Sequence, residues 1–90
     1  MIDFSKVSIQ GIEREEFIDV RKPIGNYLYY NSRDLEGSTL GHDIYYSEGA
    51  ISLTEKQKNI IKSCIHDAIP SYILSHAVES ILTQENDNED

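Results

Sequence analysis

The stretch VSIQGIEREEFIDV, residues 7–20, decides the fold class of this 90-residue chain. β-Favouring residues stand at both of its ends, and Gly11 with the charged run 13–16 separates them as a turn would. We predict an N-terminal β-hairpin whose strands lie within residues 4–10 and 16–20. A two-stranded hairpin is only marginally stable alone in water, so its apolar face is expected to pack on the remainder of the chain.

Residues 21–46 predict two short helices. Pro23 suits the first turn of a helix, and this helix would carry Ile24, Tyr27 and Leu28 on one face. Asp34 is a plausible N-cap for the second helix. The apolar residues expected on the second helix are Leu35, Leu40, Ile44 and Tyr45.

The two helical segments share a sequence pattern. Residues 25–30 read GNYLYY and residues 41–46 read GHDIYY, so the motif G-x-x-[L/I]-Y-Y occurs twice. Two copies are too few for a solenoid, and the pattern is interpreted as two similar helices that pack their aliphatic residues inward. Gly37 and Gly41 weaken the second helix, since each glycine costs about 1 kcal/mol relative to alanine.

The C-terminal half predicts two longer helices. Residues 54–57, TEKQ, have the form of a capping box, which marks a helix start. Apolar residues then recur at three- and four-residue spacing: Ile60, Ile61, Cys64, Ile65, Ala68 and Ile69. The polar face is predicted to carry Lys56, Lys58, Lys62 and Asp67. Pro70 ends this helix, and the core-facing residues of the last one are predicted to be Ile73, Leu74, Ala77, Val78, Ile81 and Leu82.

We therefore predict one α+β domain over residues 1–83, with an N-terminal β-hairpin packed on three to four short α-helices. Hydrophobic residues make up 39% of the chain, which is enough for one packed core. Residues 84–90 contain no apolar side chain and are predicted to form a disordered acidic tail. Its acidic residues are Glu85, Asp87, Glu89 and Asp90, and they supply half of the net charge of -8.

Charge and hydropathy narrow the possible partners. Sixteen acidic residues against eight basic ones oppose direct binding to nucleic acid and to anionic membranes. The apolar runs are far shorter than the roughly 20 residues that span a bilayer. The start MIDF, residues 1–4, lacks the features of a signal peptide, so we predict a cytoplasmic protein of a bacterial host cell. Cys64 is the only cysteine, which excludes an internal disulfide.

Catalytic and metal sites are weakly indicated. Cys64 and His66 are both possible zinc ligands, but on a helix their side chains point about 200° apart and cannot share an ion. Cys64 is better interpreted as a small core residue. The sequence has no glycine-rich phosphate loop and no nucleophile elbow. We predict a non-catalytic protein without metal or cofactor. A small hydrolase or metal enzyme that uses Cys64 with a histidine stays open as a further alternative.

Tyrosine is the most distinctive residue type, with six tyrosines and no tryptophan. Tyrosine joins a large apolar ring to a polar hydroxyl, which suits a binding surface. The residues predicted to bind a partner are Tyr27, Tyr29, Tyr30, Tyr45 and Tyr46. The alternative is that these rings only edge a small core. Neighbouring helical residues point about 100° apart, so at least one ring of each adjacent pair is expected to face outward.

Four features of the chain together resemble small proteins of bacterial phages and prophages. They are the predicted hairpin, the capped helix, the motif IDVRKxxGNxLY at residues 18–29 and the motif IYxSEG at residues 44–49. Such proteins include assembly factors, structural accessories and inhibitors of host defence. The resemblance implies a protein-binding role and carries no functional residues over to this chain.

The leading expectation is a phage- or mobile-element-type accessory protein that binds a protein partner, or a second copy of itself, through the tyrosine-bearing helices and the edge of the hairpin. The alternative is an acidic inhibitor of a host nucleic-acid-processing or defence enzyme, whose carboxylates imitate nucleic-acid phosphates. The acidic tail has a simpler interpretation as a device for solubility.

Overall fold

The computed structural model describes residues 1–87. It contains two strands followed by four helices, which confirms the α+β class with an N-terminal hairpin. The elements are β1 (Val7–Gln10), β2 (Glu15–Ile18), α1 (Arg21–Asn31), α2 (Leu35–Tyr45), α3 (Glu55–Ala68) and α4 (Tyr72–Asp87).

The hairpin is antiparallel, and its outer ends fall short of those predicted. Glu15 and Glu16, which are part of the charged run predicted for the turn, belong to β2 and pair with Gln10 and Ile9. Val7 pairs with Ile18 and Gln10 with Glu15, and the turn is closed where the Gly11 N–H donates to the Arg14 carbonyl at 2.9 Å. Phe4 precedes β1 and is completely buried, and its carbonyl accepts a hydrogen bond from the Val20 N–H at 2.8 Å. The residues on either side of the hairpin thus anchor it to the core.

An isolated pairing that the sequence did not predict joins Ile2 to Ile51. The N–H of each residue donates to the carbonyl of the other, at 2.9 and 2.8 Å. Ile51 belongs to the segment between α2 and α3, so this antiparallel bridge attaches the start of the chain to its middle. Ile2 is buried there as part of the core.

Two predicted helix starts are confirmed in atomic detail. The Asp34 carboxylate accepts a hydrogen bond from the Gly37 N–H at 2.9 Å and caps α2. At α3 the capping box is complete: the Gln57 N–H donates to the Thr54 hydroxyl at 3.1 Å, and the Thr54 N–H donates to the Gln57 side-chain oxygen at 2.8 Å. These bonds satisfy backbone N–H groups that the helix itself leaves unpaired.

The Thr54 cap gives a testable stability prediction. Thr54→Ala is expected to lower the free energy of unfolding by about 1 kcal/mol, since the first turn of α3 loses its side-chain acceptor. Urea denaturation followed by far-UV circular dichroism measures the change. Thr39→Ala, at an exposed position inside α2, is the matched control and should leave the midpoint almost unchanged. Equal midpoints for the two variants would contradict the role of the cap.

The hairpin and all four helices contribute to one hydrophobic core. The fully buried apolar residues are Ile2, Phe4, Val7, Val20, Ile24, Leu28, Leu40, Ile44, Ile61, Ile65, Ile69, Val78 and Leu82. The helices pack mainly in sequential pairs, α1 with α2 and α3 with α4, and β1 lies against α4.

Three predicted side-chain positions are wrong. Leu35 and Ile73 were expected in the core but are 82% and 59% exposed. Each precedes a buried residue, Leu40 or Val78, by five positions, which is about 140° around a helix. Lys58 was expected on the polar face of α3 but is buried, because it lies three residues before Ile61 on the core side of that helix.

Helix α4 ends at Asp87, four residues past the predicted domain boundary at Thr83. Glu85 and Asp87 of the predicted tail therefore lie in its final turns. Glu89 and Asp90 fall outside the described residues, so for residues 88–90 the predicted disorder stays a prediction.

Candidate functional site

Helices α1 and α2 approach so closely that their backbones touch at Gly25 and Gly41. A Cβ atom added at Gly41 would lie 2.6 Å from the Tyr29 nitrogen and 2.7 Å from the Gly25 carbonyl oxygen. One added at Gly25 would lie 2.8 Å from the Gly41 carbonyl oxygen. Atoms at these distances overlap, so only glycine fits at this contact. The glycine residues that weaken the helices in isolation permit their packing.

The repeated motif corresponds to an approximate two-fold relation between the helices. Gly25 lies against Tyr45, and Gly41 lies against Tyr29, so each glycine faces the tyrosine four residues after the other glycine. This arrangement requires antiparallel helices. Leu28 and Ile44, the aliphatic residues of the two motifs, are both buried as predicted. The glycine contact itself was missed, because a sequence pattern alone does not show which helices meet.

Five of the six aromatic residues of the two motifs form one row of rings across the helix pair. The centroids of Tyr30 and Tyr29 are 5.1 Å apart, and those of Tyr29 and His42 are 6.5 Å apart. The row continues from His42 to Tyr46 at 5.0 Å and from Tyr46 to Tyr45 at 4.9 Å. We call these five residues the tyrosine face. His42 connects the two tyrosine pairs and was not among the predicted binding residues.

Much of the tyrosine face is open to solvent. Tyr29, Tyr30 and Tyr46 are 50%, 77% and 67% exposed, while Tyr45 is half-buried against Gly25. Four of the five predicted partner-binding tyrosines are therefore brought together. Tyr27 is half-buried and does not take part in the row of rings. Edge-to-face contacts such as that of Tyr29 with Tyr30, at 84°, stabilise the rings in place.

A groove of about 290 Å³ runs between the two helices. It is lined by the tyrosine face together with Gly25, Asn26 and Gly41. A second, shallower cleft adjoins it, lined by Tyr29 and His42 together with Leu35, Ser38 and Thr39. The exposed Leu35, which was expected in the core, thus belongs to the apolar lining of this second cleft.

The lining of both clefts carries no carboxylate, ammonium or guanidinium group. His42 is the one lining residue that can gain a positive charge, and its Nδ1 lies 3.8 Å from the Asp43 carboxylate at the rim. The face can offer ring surfaces, tyrosine hydroxyls and the Asn26 side chain to a ligand. Apolar contact and hydrogen bonding are therefore the interactions that it supports.

Cys64 is half-buried beside the core, and within residues 1–84 no histidine is hydrogen bonded to its thiol. Its thiol lies 3.5 Å from the Ile61 carbonyl of the same helix. Burial, assisted by the negative charge of Asp67, raises the pKa of the Cys64 thiol. A raised pKa favours the protonated thiol over the reactive thiolate.

Sequence reasoning missed a polar cluster between α3 and α4. His66 Nδ1 lies 3.1 Å from the Ser75 hydroxyl, and His66 Nε2 lies 3.3 Å from a Glu79 carboxylate oxygen. The order serine, histidine and carboxylate resembles a hydrolytic triad. Ser75, however, is only 1% exposed, so no substrate reaches its hydroxyl. The cluster joins the two helices across the Pro70 break.

Within residues 1–87 no three potential ligands among His, Cys, Asp and Glu are grouped to hold a metal ion. Over the same range no helix combines the length and apolar character needed to cross a bilayer. No family model, curated protein or solved structure matches this chain.

Proposed function

We propose that this chain is a non-catalytic binding domain that recognises a protein partner through the tyrosine face. The row of five rings, carried by two helices fixed against each other at Gly25 and Gly41, is the observation on which the proposal depends. Exposed aromatic rings supply contact area at a low cost in side-chain entropy, and tyrosine is frequent among residues that dominate binding energy.

The rigidity of the site supports a binding role. Backbone contact between α1 and α2 leaves the helix pair little freedom to separate, so the rings are held in position before a partner arrives. Their exposure is not needed for the fold, because the core below them is complete with Leu28, Leu40 and Ile44. Large exposed rings in a contiguous patch commonly mark an interaction surface.

The proposal includes a biological class, an accessory protein of a phage or other mobile element. Its support is the resemblance of residues 18–29 and 44–49 to such proteins. The proposal covers both a different protein and a second copy of the chain as the partner, and sedimentation of the purified protein at increasing concentration distinguishes these two.

Affinity capture tests the proposal. Tagged protein is incubated with lysate of the bacterial host, and bound proteins are identified by mass spectrometry. We expect a discrete partner whose recovery falls at least about tenfold with the double variant Tyr29→Ala, Tyr46→Ala, because loss of two anchor rings removes at least about 1.4 kcal/mol of binding free energy. Tyr72→Ala is the matched control, since Tyr72 is 73% exposed on α4 and lies outside the face.

A parallel wash at high salt distinguishes binding through the tyrosine face from the alternative, an acidic inhibitor. An interface of rings and hydroxyls should resist salt, whereas a phosphate-mimicking surface should release its partner. Neutralising the carboxylates of Glu85, Asp87, Glu89 and Asp90 should likewise leave capture intact. Release by salt, together with full capture by the double tyrosine variant, would favour an acidic inhibitor and exclude the tyrosine face as the binding site.

A further inference from the structure

The groove and the second cleft form one elongated binding surface. Tyr29 and His42 line both of them and form their common wall. The groove measures about 290 Å³ and the second cleft about 510 Å³. Because the two clefts lie side by side, a ligand that uses both is extended, with side chains that enter on either side of the common wall.

The lining also restricts the chemistry of such a ligand. It presents ring surfaces and, from the tyrosines and Asn26, several hydrogen-bond donors. Within residues 1–84 no hydroxyl of the four tyrosines of the face is hydrogen bonded to another group of the chain. Because charged groups are absent from the lining, the segment in contact with it should be uncharged and rich in hydrogen-bond acceptors.

We propose that the tyrosine face binds a proline-rich segment of the partner in the polyproline II conformation, an inference that rests on the proposed function. A polyproline II helix makes no internal hydrogen bonds, so its carbonyl oxygens are free to accept from tyrosine hydroxyls and from Asn26. The proline rings of such a helix are uncharged, and grooves lined by aromatic side chains are the surfaces that recognise proline-rich segments. The extended helix is also rigid before binding, which reduces the entropy cost of association.

Charge argues against two other occupants. Neither cleft is lined by a carboxylate that could pair with a lysine or arginine side chain, which disfavours a basic ligand. A second copy of the chain would bring together two molecules that each carry a net charge of -8. An uncharged proline-rich segment avoids both of these electrostatic disadvantages.

Nuclear magnetic resonance titration of the ¹⁵N-labelled protein with a decaproline peptide tests the inference. We expect saturable shifts centred on Tyr29, His42 and Tyr46, and none with a glycine-serine peptide of equal length. Tyr29→Ala and Tyr46→Ala should each weaken decaproline binding about tenfold. Tyr29→Phe, which keeps the ring, should retain part of the affinity, and Tyr72→Ala should retain all of it.

Decaproline shifts that do not saturate, or that persist unchanged in Tyr29→Ala, would overturn the inference. A displayed library of random twelve-residue peptides then shows whether the tyrosine face itself also fails as a binding site. Ligands without proline that bind the protein and lose binding in Tyr29→Ala would exclude polyproline recognition while supporting the tyrosine face as a binding site. If no recovered peptide depends on Tyr29 for binding, and if partner capture is unchanged in the double tyrosine variant, both proposals are excluded.

Discussion

Phe4→Ala is expected to lower the free energy of unfolding by about 3–5 kcal/mol, the largest effect of any single substitution considered for this protein. The Phe4 ring is completely buried between the hairpin and the helices, and its removal leaves a cavity in the one core of the domain. Domains of this size are stable by only about 5–15 kcal/mol, so the variant loses a large share of the total.

The second phenylalanine provides the control. Phe17, on β2, is 63% exposed, and Phe17→Ala should change the free energy of unfolding by only about 0.5 kcal/mol. Urea denaturation of both variants, monitored by far-UV circular dichroism, gives the comparison. Equal losses of stability in the two variants would contradict the position assigned to Phe4.

Gly41→Ala is expected to destabilise the protein by about 1–3 kcal/mol, although alanine is the better helix former. The added methyl group would lie 2.6 Å from the Tyr29 nitrogen and 2.7 Å from the Gly25 carbonyl oxygen. Both atoms belong to the backbone, so α1 and α2 must separate to relieve the overlap. Steric overlap therefore exceeds the gain in helix propensity of about 1 kcal/mol.

The same change should disturb the candidate site. Separation of the helices moves Tyr29 and Tyr45 apart, which should alter the tyrosine signal in near-UV circular dichroism and weaken partner capture. Gly25→Ala should behave similarly, because its added methyl group would lie 2.8 Å from the Gly41 carbonyl oxygen. Asn59→Ala, at an exposed position on α3 outside both clefts, should show neither effect. A Gly41→Ala protein that is more stable than the parent would show that helix propensity dominates and that the contact is loose.

The features that the sequence predicted well depend on neighbouring residues. The Asp34 cap and the Thr54 capping box involve side chains and backbone groups only three residues apart, so they could be predicted without the tertiary fold. The Val7–Gln10 strand and its partner were predicted from β-favouring residues around a charged turn. The presence of a hairpin was therefore predictable, although its ends were placed too far outward.

The features that the sequence did not predict depend on contacts between distant elements. The Gly25–Gly41 contact, the Ile2–Ile51 bridge and the placement of His42 between two tyrosine pairs all require knowledge of which helices and segments meet. Tyrosine composition indicated a binding surface, but only the packing of α1 on α2 separates Tyr29 and Tyr46 from Tyr27. Lys58 was misplaced because residue polarity was given more weight than helical position.

The Ile2–Ile51 bridge joins residues that are far apart along the chain, and this affects the order in which contacts form during folding. The two ends of this bridge are 49 residues apart, whereas Gly25 and Gly41 are 16 residues apart. Closing a longer loop costs more chain entropy and slows the formation of the contact. The α1–α2 contact is thus more local than the bridge. The tyrosine row can assemble on the pathway before the N-terminal residues dock.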